Sequence, residues 1–310
     1  MQDVITRTTA NFYHQLKVVN AHLPITTGAV SSPIGLGSDS VPVDVELFGE
    51  RTFLADSAQF LLEYSCRLNV TGCYYLMQSF RGEEPDQTHL NQFMQSEAEV
   101  PGTLDDVLLL AEEYVLVLAA AFLNEQASLI QKFAGTTEHL NSVVSGRTSF
   151  RRVMFDEVVE LAGGNEELVR EDPSRMWRTL TRKGEQFLLH YFDSPVWVTY
   201  WDHLAVPFYQ GYADGGYRYA LNADLLLGSG EVVGAGQRHP DGELVRRALN
   251  YHRVSDTSGY DWYCEMKDSF PMQTSGFGLG VERFLMWVLR HDDIRDLQIV
   301  PRLRGTPQIV

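Results

Sequence analysis

The hydrophobic pattern starts with residues 4–20, which read as a helix with Phe12, Leu16 and Val19 on one face. Residues 21–50 are rich in Pro, Gly and Ser, and within them Val41–Phe48 (VPVDVELF) alternates as a strand does. A helix is expected after Asp56, and the aromatic, apolar run Cys73–Phe80 reads as a strand. From Thr103 the helical pattern is clearest. Leu104, Val107, Leu108, Ala111, Tyr114, Val115 and Leu118 form one stripe, and Thr103 with Asp106 makes a near capping box. Residues 120–190 read as mostly helical, with breaks at Gly163-Gly164-Asn165 and at Pro173. From Pro195 the pattern changes to short extended runs: VWVTY, VPFYQ, YRYALNADLLL and EVVGAG. A helix over 241–253 and a strand–helix pair over 275–290 close the chain. Local runs of strands broken by helices predict a mostly antiparallel α+β fold rather than βαβ units. No repeat, low-complexity segment or long linker divides the sequence, so one domain over 1–310 is expected, with 120–190 as a helical subregion.

Charge narrows the functional classes. Lys and Arg number 25 against 41 Asp and Glu, a net charge of −16, which argues against a general nucleic-acid binder. Cys66, Cys73 and Cys264 show no CxxC spacing and too few sulfurs for a disulfide framework. The N-terminus has no signal-peptide pattern. The most apolar stretch, Val107–Leu123, carries Glu112 and Glu113 and is too short to span a bilayer. A reduced, cytoplasmic protein without a membrane partner is expected.

Three segments carry chemistry. In SGFGLGVERFLMWVL (275–289), glycines at 276, 278 and 280 strip side chains from one face of a strand, so that a flat ligand can lie on the backbone. Arg283 follows at the helix start, where it can stack on a base or hold a phosphate; tight strand–helix packing is the bland alternative. In SFRGEEPDQTHLNQFMQSEAEV (79–100), Arg81 and His89 offer charge-assisted bonds to phosphates and Phe93 a stacking ring, unless this is only a polar surface hairpin. In NADLLLGSGEVVGAGQR (222–238), Asp224 and Glu231 flank a Gly-Ser-Gly turn. Adjacent strands there can aim both carboxylates at Mg²⁺, or simply expose them.

Together these segments resemble the class II aminoacyl-tRNA synthetases of the aspartyl/asparaginyl branch. FRGEE…THLNQF is similar to that family's second signature motif and GFGLGVER to its third. The carboxylate pair and QR tail are matched by Asp224, Glu231, Gln237 and Arg238, LADSAQFLLEY (54–64) resembles the amino-acid-binding SxQ element, and HDDIRDLQIVPR (291–302) the family's end sequence. The resemblance implies an antiparallel sheet flanked by helices, ATP and Mg²⁺ as cofactors, and a homodimer whose pairing motif falls within residues 5–30. It implies that Arg81 grips the α-phosphate and the substrate carboxylate, and that Glu83, His89 and Phe93 hold the nucleotide. Phe93 and Arg283 would sandwich adenine, Asp224 and Glu231 bind the metal, and Ser57, Gln59, Glu63, Gln237 and Arg238 contact the amino acid.

Departures from the family shape the functional expectation. The catalytic-type sequence starts almost at once, so a protein without the anticodon-reading domain of these enzymes is expected. Thr88 stands where a basic residue is usual, and Gln92 where a Glu is usual. Leu62-Glu63 is more like the asparagine-specific type, with Glu63 either receiving a substrate amide or paired with Arg238 or Arg67. The run PIGLGSDSVPVDVEL also resembles archaeal-type asparagine synthetases, with the glycines at 35 and 37 read as an active-site loop or turns. The expectation is an AMP-forming ligase that adenylates an aspartate- or asparagine-like amino acid and passes the acyl group to ammonia or another small amine, with no nucleic-acid partner. The alternatives are transfer to tRNA or a carrier protein, and a non-catalytic regulatory subunit. The intact set Arg81, His89, Asp224, Glu231 and Arg283 argues against the last.

Overall fold

The structure, a computed structural model, describes residues 1–32 and 41–305, so the glycines at 35 and 37 lie outside the described residues. Helix α1 (Gln2–Gln15) leads to the short strands β1 (Val19–Asn20) and β2 (Thr26–Thr27) and the hairpin β3 (Val43–Leu47) and β4 (Glu50–Leu54). Helix α2 (Gln59–Leu68) precedes the long pair β5 (Cys73–Phe80) and β6 (Gln92–Pro101). Helices α3 (Leu104–Ala134) and α4 (Glu138–Val144) follow, then β7 (Arg151–Met154), α5 (Phe155–Ala162), the hairpin β8 (Val169–Glu171) and β9 (Arg178–Leu180), and α6 (Arg182–Phe192). Strands β10 (Val196–Thr199), β11 (Asn222–Leu227) and β12 (Gly230–Gln237), helices α7 (Gly242–Tyr251) and α8 (Asp261–Ser269), strand β13 (Thr274–Gly280) and helix α9 (Val281–Leu289) complete the order.

Eight strands form one sheet in the order β1-β5-β6-β13-β12-β11-β10-β7. Its middle is antiparallel, and only the edge pairs β1–β5 and β10–β7 run parallel. The expected antiparallel α+β sheet flanked by helices is therefore present. Strand alternation sorts the two faces. Ala98, Phe277, Leu279, Val233, Ala235, Ala223 and Leu225 point toward a core shared with α1, α3 and α9. Helix α3 supplies the whole stripe expected from Leu104 to Leu118, all buried, and starts at a complete Thr103–Asp106 capping box. It ends at Gly135 in the left-handed conformation, which a residue without Cβ adopts freely.

Three expectations need correction, and one helix was not anticipated. Helix α1 stops at Gln15 and buries Val4, Ile5, Thr9, Phe12 and Tyr13, leaving Leu16 and Val19 exposed. The run VPFYQ is a turn through Pro207, not a strand. The 120–190 stretch is helical in large part, but β7 joins the sheet edge and β8–β9 form a separate hairpin. Helix α8 escapes the periodicity because its buried face mixes Tyr263, Cys264 and Met266 with Lys267.

Candidate active site

The face opposite the core carries the chemistry. On β6, Glu97 stands opposite Gly278 and Glu99 opposite Gly276. Gly278 and Gly276 in turn pair with Gly234 and Gly236 of β12, and Gly234 with Asp224 of β11. Four glycines thus bare the sheet between two acidic strands, and the space is used. A Cβ on Gly276 would lie 1.8 Å from Glu99 Oε2 and 2.5 Å from the Ala98 carbonyl oxygen, and one on Gly236 1.8 Å from Gln210 Oε1. Gly276→Ala is expected to lower stability by about 1–3 kcal/mol, the usual cost of overpacking, read as a fall in Tm.

Above this floor lies a cavity of about 400 Å³ lined by Ser57, Gln59, Glu97, Gln210, Arg238 and His252, among others. Buried Arg238 organises one end. Its Nη2 donates to Gln59 Oε1 at 2.9 Å and Glu99 Oε2 at 3.1 Å, its Nη1 donates to Gln210 Oε1 at 2.9 Å, and its guanidinium sits over the Tyr209 ring. Glu99 therefore neutralises Arg238 in place. At the other end Ser57 Oγ donates to Glu97 at 2.7 Å, and Asp56 accepts from the backbone N–H groups of Ser31, Ser32 and Ser57.

Burial pushes the Glu97 carboxyl up to about 7. Its folded value exceeds its unfolded one, so the native state binds this proton more tightly. The resulting stabilisation is complete below the unfolded value of 4.5 and is lost as pH rises through about 7. Denaturant titrations across that window should show the wild type losing more stability with rising pH than Glu97→Gln.

A second cleft, of about 110 Å³, is lined by Glu83, His89, Phe93 and Arg283, and shares Arg81, Gln95, Glu231 and Gly278 with the first. Arg81 stands at the junction, its guanidinium 5.8 Å from the Phe93 ring centroid. Its Nε is buried without a hydrogen-bond partner, and no carboxylate pairs with it among the described residues. Arg283 Nη1 donates to the Glu231 carbonyl oxygen at 2.9 Å. The Glu231 and Asp224 carboxylates converge over Gly234, where a Cβ would meet them at 3.2 and 3.7 Å. Desolvation, then repulsion from Glu231 and Glu185, pushes the Asp224 carboxyl up. That is an excess of negative charge a cation would relieve. Among the described residues no group of three or more His, Cys, Asp or Glu forms a metal-holding cluster. The pair thus suits a cation such as Mg²⁺ that takes its other oxygens from phosphates.

A family model for tRNA synthetases class II (D, K and N) matches residues 1–304. The chain belongs to this class II synthetase family. The chain is 29% identical over 284 residues to the asparagine–tRNA ligase of Pyrococcus furiosus, covering 90% of this chain and 61% of that protein. It is 26% identical over 277 residues to the asparagine–tRNA ligase of Koribacter versatilis, covering 88% and 62%. It thus spans about three fifths of the length of these curated relatives. In fold it is similar to asparaginyl-tRNA synthetase from Pyrococcus horikoshii complexed with asparaginyl-adenylate, with a TM-score of 0.86 and 24% identity over 98% of this chain and 67% of that one. The Entamoeba histolytica asparaginyl-tRNA synthetase, also in complex with asparaginyl-adenylate, aligns with a TM-score of 0.82 and 20% identity over 98% and 66%.

Most site residues named from the synthetase motifs converge. Ser57, Gln59, Arg81, Asp224, Glu231 and Arg238 line the larger cavity, and Arg81, Glu83, His89, Phe93, Glu231 and Arg283 the smaller. Two do not reach either space. Gln237 points the other way along its strand, where its Oε1 accepts the Leu104 N–H at 2.9 Å and helps cap α3. Glu63 is sealed behind the wall, taking the Tyr263 hydroxyl at 2.6 Å and the Lys267 ammonium at 2.5 Å. Its ion-pair partner is thus Lys267 rather than Arg238 or Arg67. Sequence reasoning assigned no role to Asp56, Glu97, Glu99, Gln210, His252 or Lys267. The alternation Gln95-Ser96-Glu97-Ala98-Glu99 is a signal that could have found the two glutamates.

Proposed function

We propose that this protein is an ATP-dependent, AMP-forming ligase that adenylates an asparagine-like amino acid. The observation that carries this reading is Arg81, an unpaired cation among the described residues, standing where the two cavities join. The amino acid occupies the larger cavity, its ammonium toward Glu97 and Asp56 and its side chain toward Arg238. The nucleotide occupies the smaller cleft between Phe93 and Arg283. A carboxylate oxygen of the amino acid attacks the α-phosphorus in line, a new P–O bond forms, and the bond to pyrophosphate breaks. Arg81 offsets the charge that builds on the phosphoryl oxygens. Asp224 and Glu231 would hold Mg²⁺, which supplies further charge neutralisation on the phosphates. The five-residue set Arg81, His89, Asp224, Glu231 and Arg283 is retained at these cavities, which favours catalysis over a regulatory role.

Similarity to asparagine–tRNA ligases favours a tRNA terminal hydroxyl as acyl acceptor over the ammonia transfer expected from the sequence. A small amine is the second reading, favoured by the net charge of −16, which opposes approach of a polyanion. Amino-acid-dependent ATP–pyrophosphate exchange across the common amino acids tests adenylation, and a blank panel overturns it. Supplying total tRNA or ammonium to the active mixture separates the acceptors: base-labile aminoacyl-tRNA identifies the first, an amide plus AMP the second. The reading also places the protein in the cytoplasm as a homodimer; a monomeric mass by light scattering at micromolar concentration would count against the dimer. Among the described residues no helix is long and apolar enough to cross a membrane.

A further inference from the structure

Three histidines from separate segments, His203, His239 and His252, are buried beside the larger cavity, and the adenylation scheme uses none of them. His203 Nε2 lies 2.7 Å from the Gln210 carbonyl oxygen, and His203 Nδ1 lies 2.8 Å from His252 Nε2. A carbonyl oxygen only accepts, so His203 carries its proton on Nε2. Burial pushes His203 down to about 4 and His252 down to about 3, so both rings are neutral at pH 7. A neutral ring protonated on Nε2 can only accept at Nδ1, so His252 donates from its own Nε2. The Nδ1 of His252 is then left as a lone pair. His252 lines the cavity, and among the described residues its Nδ1 is neither hydrogen-bonded nor sealed from solvent. The Tyr212 ring, 4.3 Å from that of His203, fixes the relay from behind.

The relay and Arg238 meet through one residue. Gln210 anchors His203 with its backbone and accepts from Arg238 with its side chain. Glu99 cancels the Arg238 charge, so this end of the cavity offers a donor, an acceptor and no net charge. A carboxamide matches it with one C=O and one NH₂, whereas a carboxylate would set a second acceptor against the imidazole lone pair. We propose that His252 is a specificity-determining residue, accepting a hydrogen bond from a side-chain amide of the amino acid, and that His203 is the positioning residue that fixes its tautomer. This deepens the adenylation reading and rests on it.

The test uses the non-hydrolysable asparaginyl and aspartyl sulfamoyl adenosines, titrated calorimetrically into the full chain with Mg²⁺. The wild type should prefer the asparaginyl analogue. His252→Phe should weaken that analogue about tenfold, the worth of one hydrogen bond, without weakening the aspartyl one. His252→Gln, which keeps one donor and one acceptor, should recover most of the preference and serves if the Phe variant does not fold. Nitrogen-15 spectra of the ligand-free protein should show His252 protonated on Nε2 and bare on Nδ1, and His203→Phe should abolish that fixed pattern. Equal weakening of both analogues, weakening of neither, or the opposite tautomer overturns the proposal. If neither analogue binds the wild type, the adenylation reading itself falls, and this proposal falls with it.

Discussion

Arg81→Ala should reduce amino-acid-dependent pyrophosphate exchange by about 2.7–4 kcal/mol of barrier, roughly 10²–10³-fold, by analogy with losing one preorganised donor at a developing oxyanion. The size follows from where the residue stands. Its guanidinium faces both cavities, its Nε is buried without a partner, and no carboxylate of the described residues neutralises it. A cation held ready in this way interacts more strongly with a phosphoryl group gaining charge than with either ground-state substrate. The loss should therefore fall mainly on kcat, with a smaller rise in KM for ATP. Arg81→Lys keeps the charge but not the planar fork, so it should recover only part of the rate. Unchanged exchange in the alanine variant would remove the central support for adenylation at this junction.

Lys267→Met should unfold the protein more readily by about 3–5 kcal/mol, because it strands the Glu63 carboxylate in a fully buried site. Lys267 and Glu63 are both completely enclosed, and desolvation already lowers the Lys267 ammonium from its usual range. Removing one charge leaves the other without its compensating partner. Adding Glu63→Gln should restore most of the lost stability, since a neutral amide oxygen still accepts from the Tyr263 hydroxyl. Chemical denaturation of the two single variants and the double variant would establish the coupling; simple additivity would refute it. The pair also backs the specificity wall, because Gln59 bridges Glu63 to Glu99, and Glu99 holds Arg238.

The parts of the fold legible in the sequence are those where one periodicity dominates. Helix α3 declared itself because its stripe faces a single core, β5 because its run is aromatic and apolar, and β13 because its glycines alternate with larger residues. Helix α8 was hidden because a buried lysine occupies an inward position, a choice that makes sense only once Glu63 lies opposite. The short strands β7 to β9 hold too few residues to establish a period. At the site, linked motifs gave the residue types but not their directions. Gln237 and Arg238 are neighbours in sequence, yet one caps α3 and the other enters the cavity. The His203–His252 relay joins two segments directly, and the turn that the VPFYQ run had disguised as a strand supplies the Gln210 carbonyl that anchors it.

The paired glycines of β12 and β13 also limit how this protein can be redesigned. A floor made of main chain has no side chains to exchange, and at Gly236 and Gly276 even a methyl group collides with residues that shape the cavity. New substrate selectivity must therefore be introduced from the walls: the start of α2, the turn through Pro207 and the stretch around His252. These walls come from distant parts of the chain and pack on one another through Phe60, Phe208, Tyr209 and Leu249, which a redesign has to keep. A directed library confined to them can vary the side-chain end of the substrate while the surface under the reacting groups stays constant.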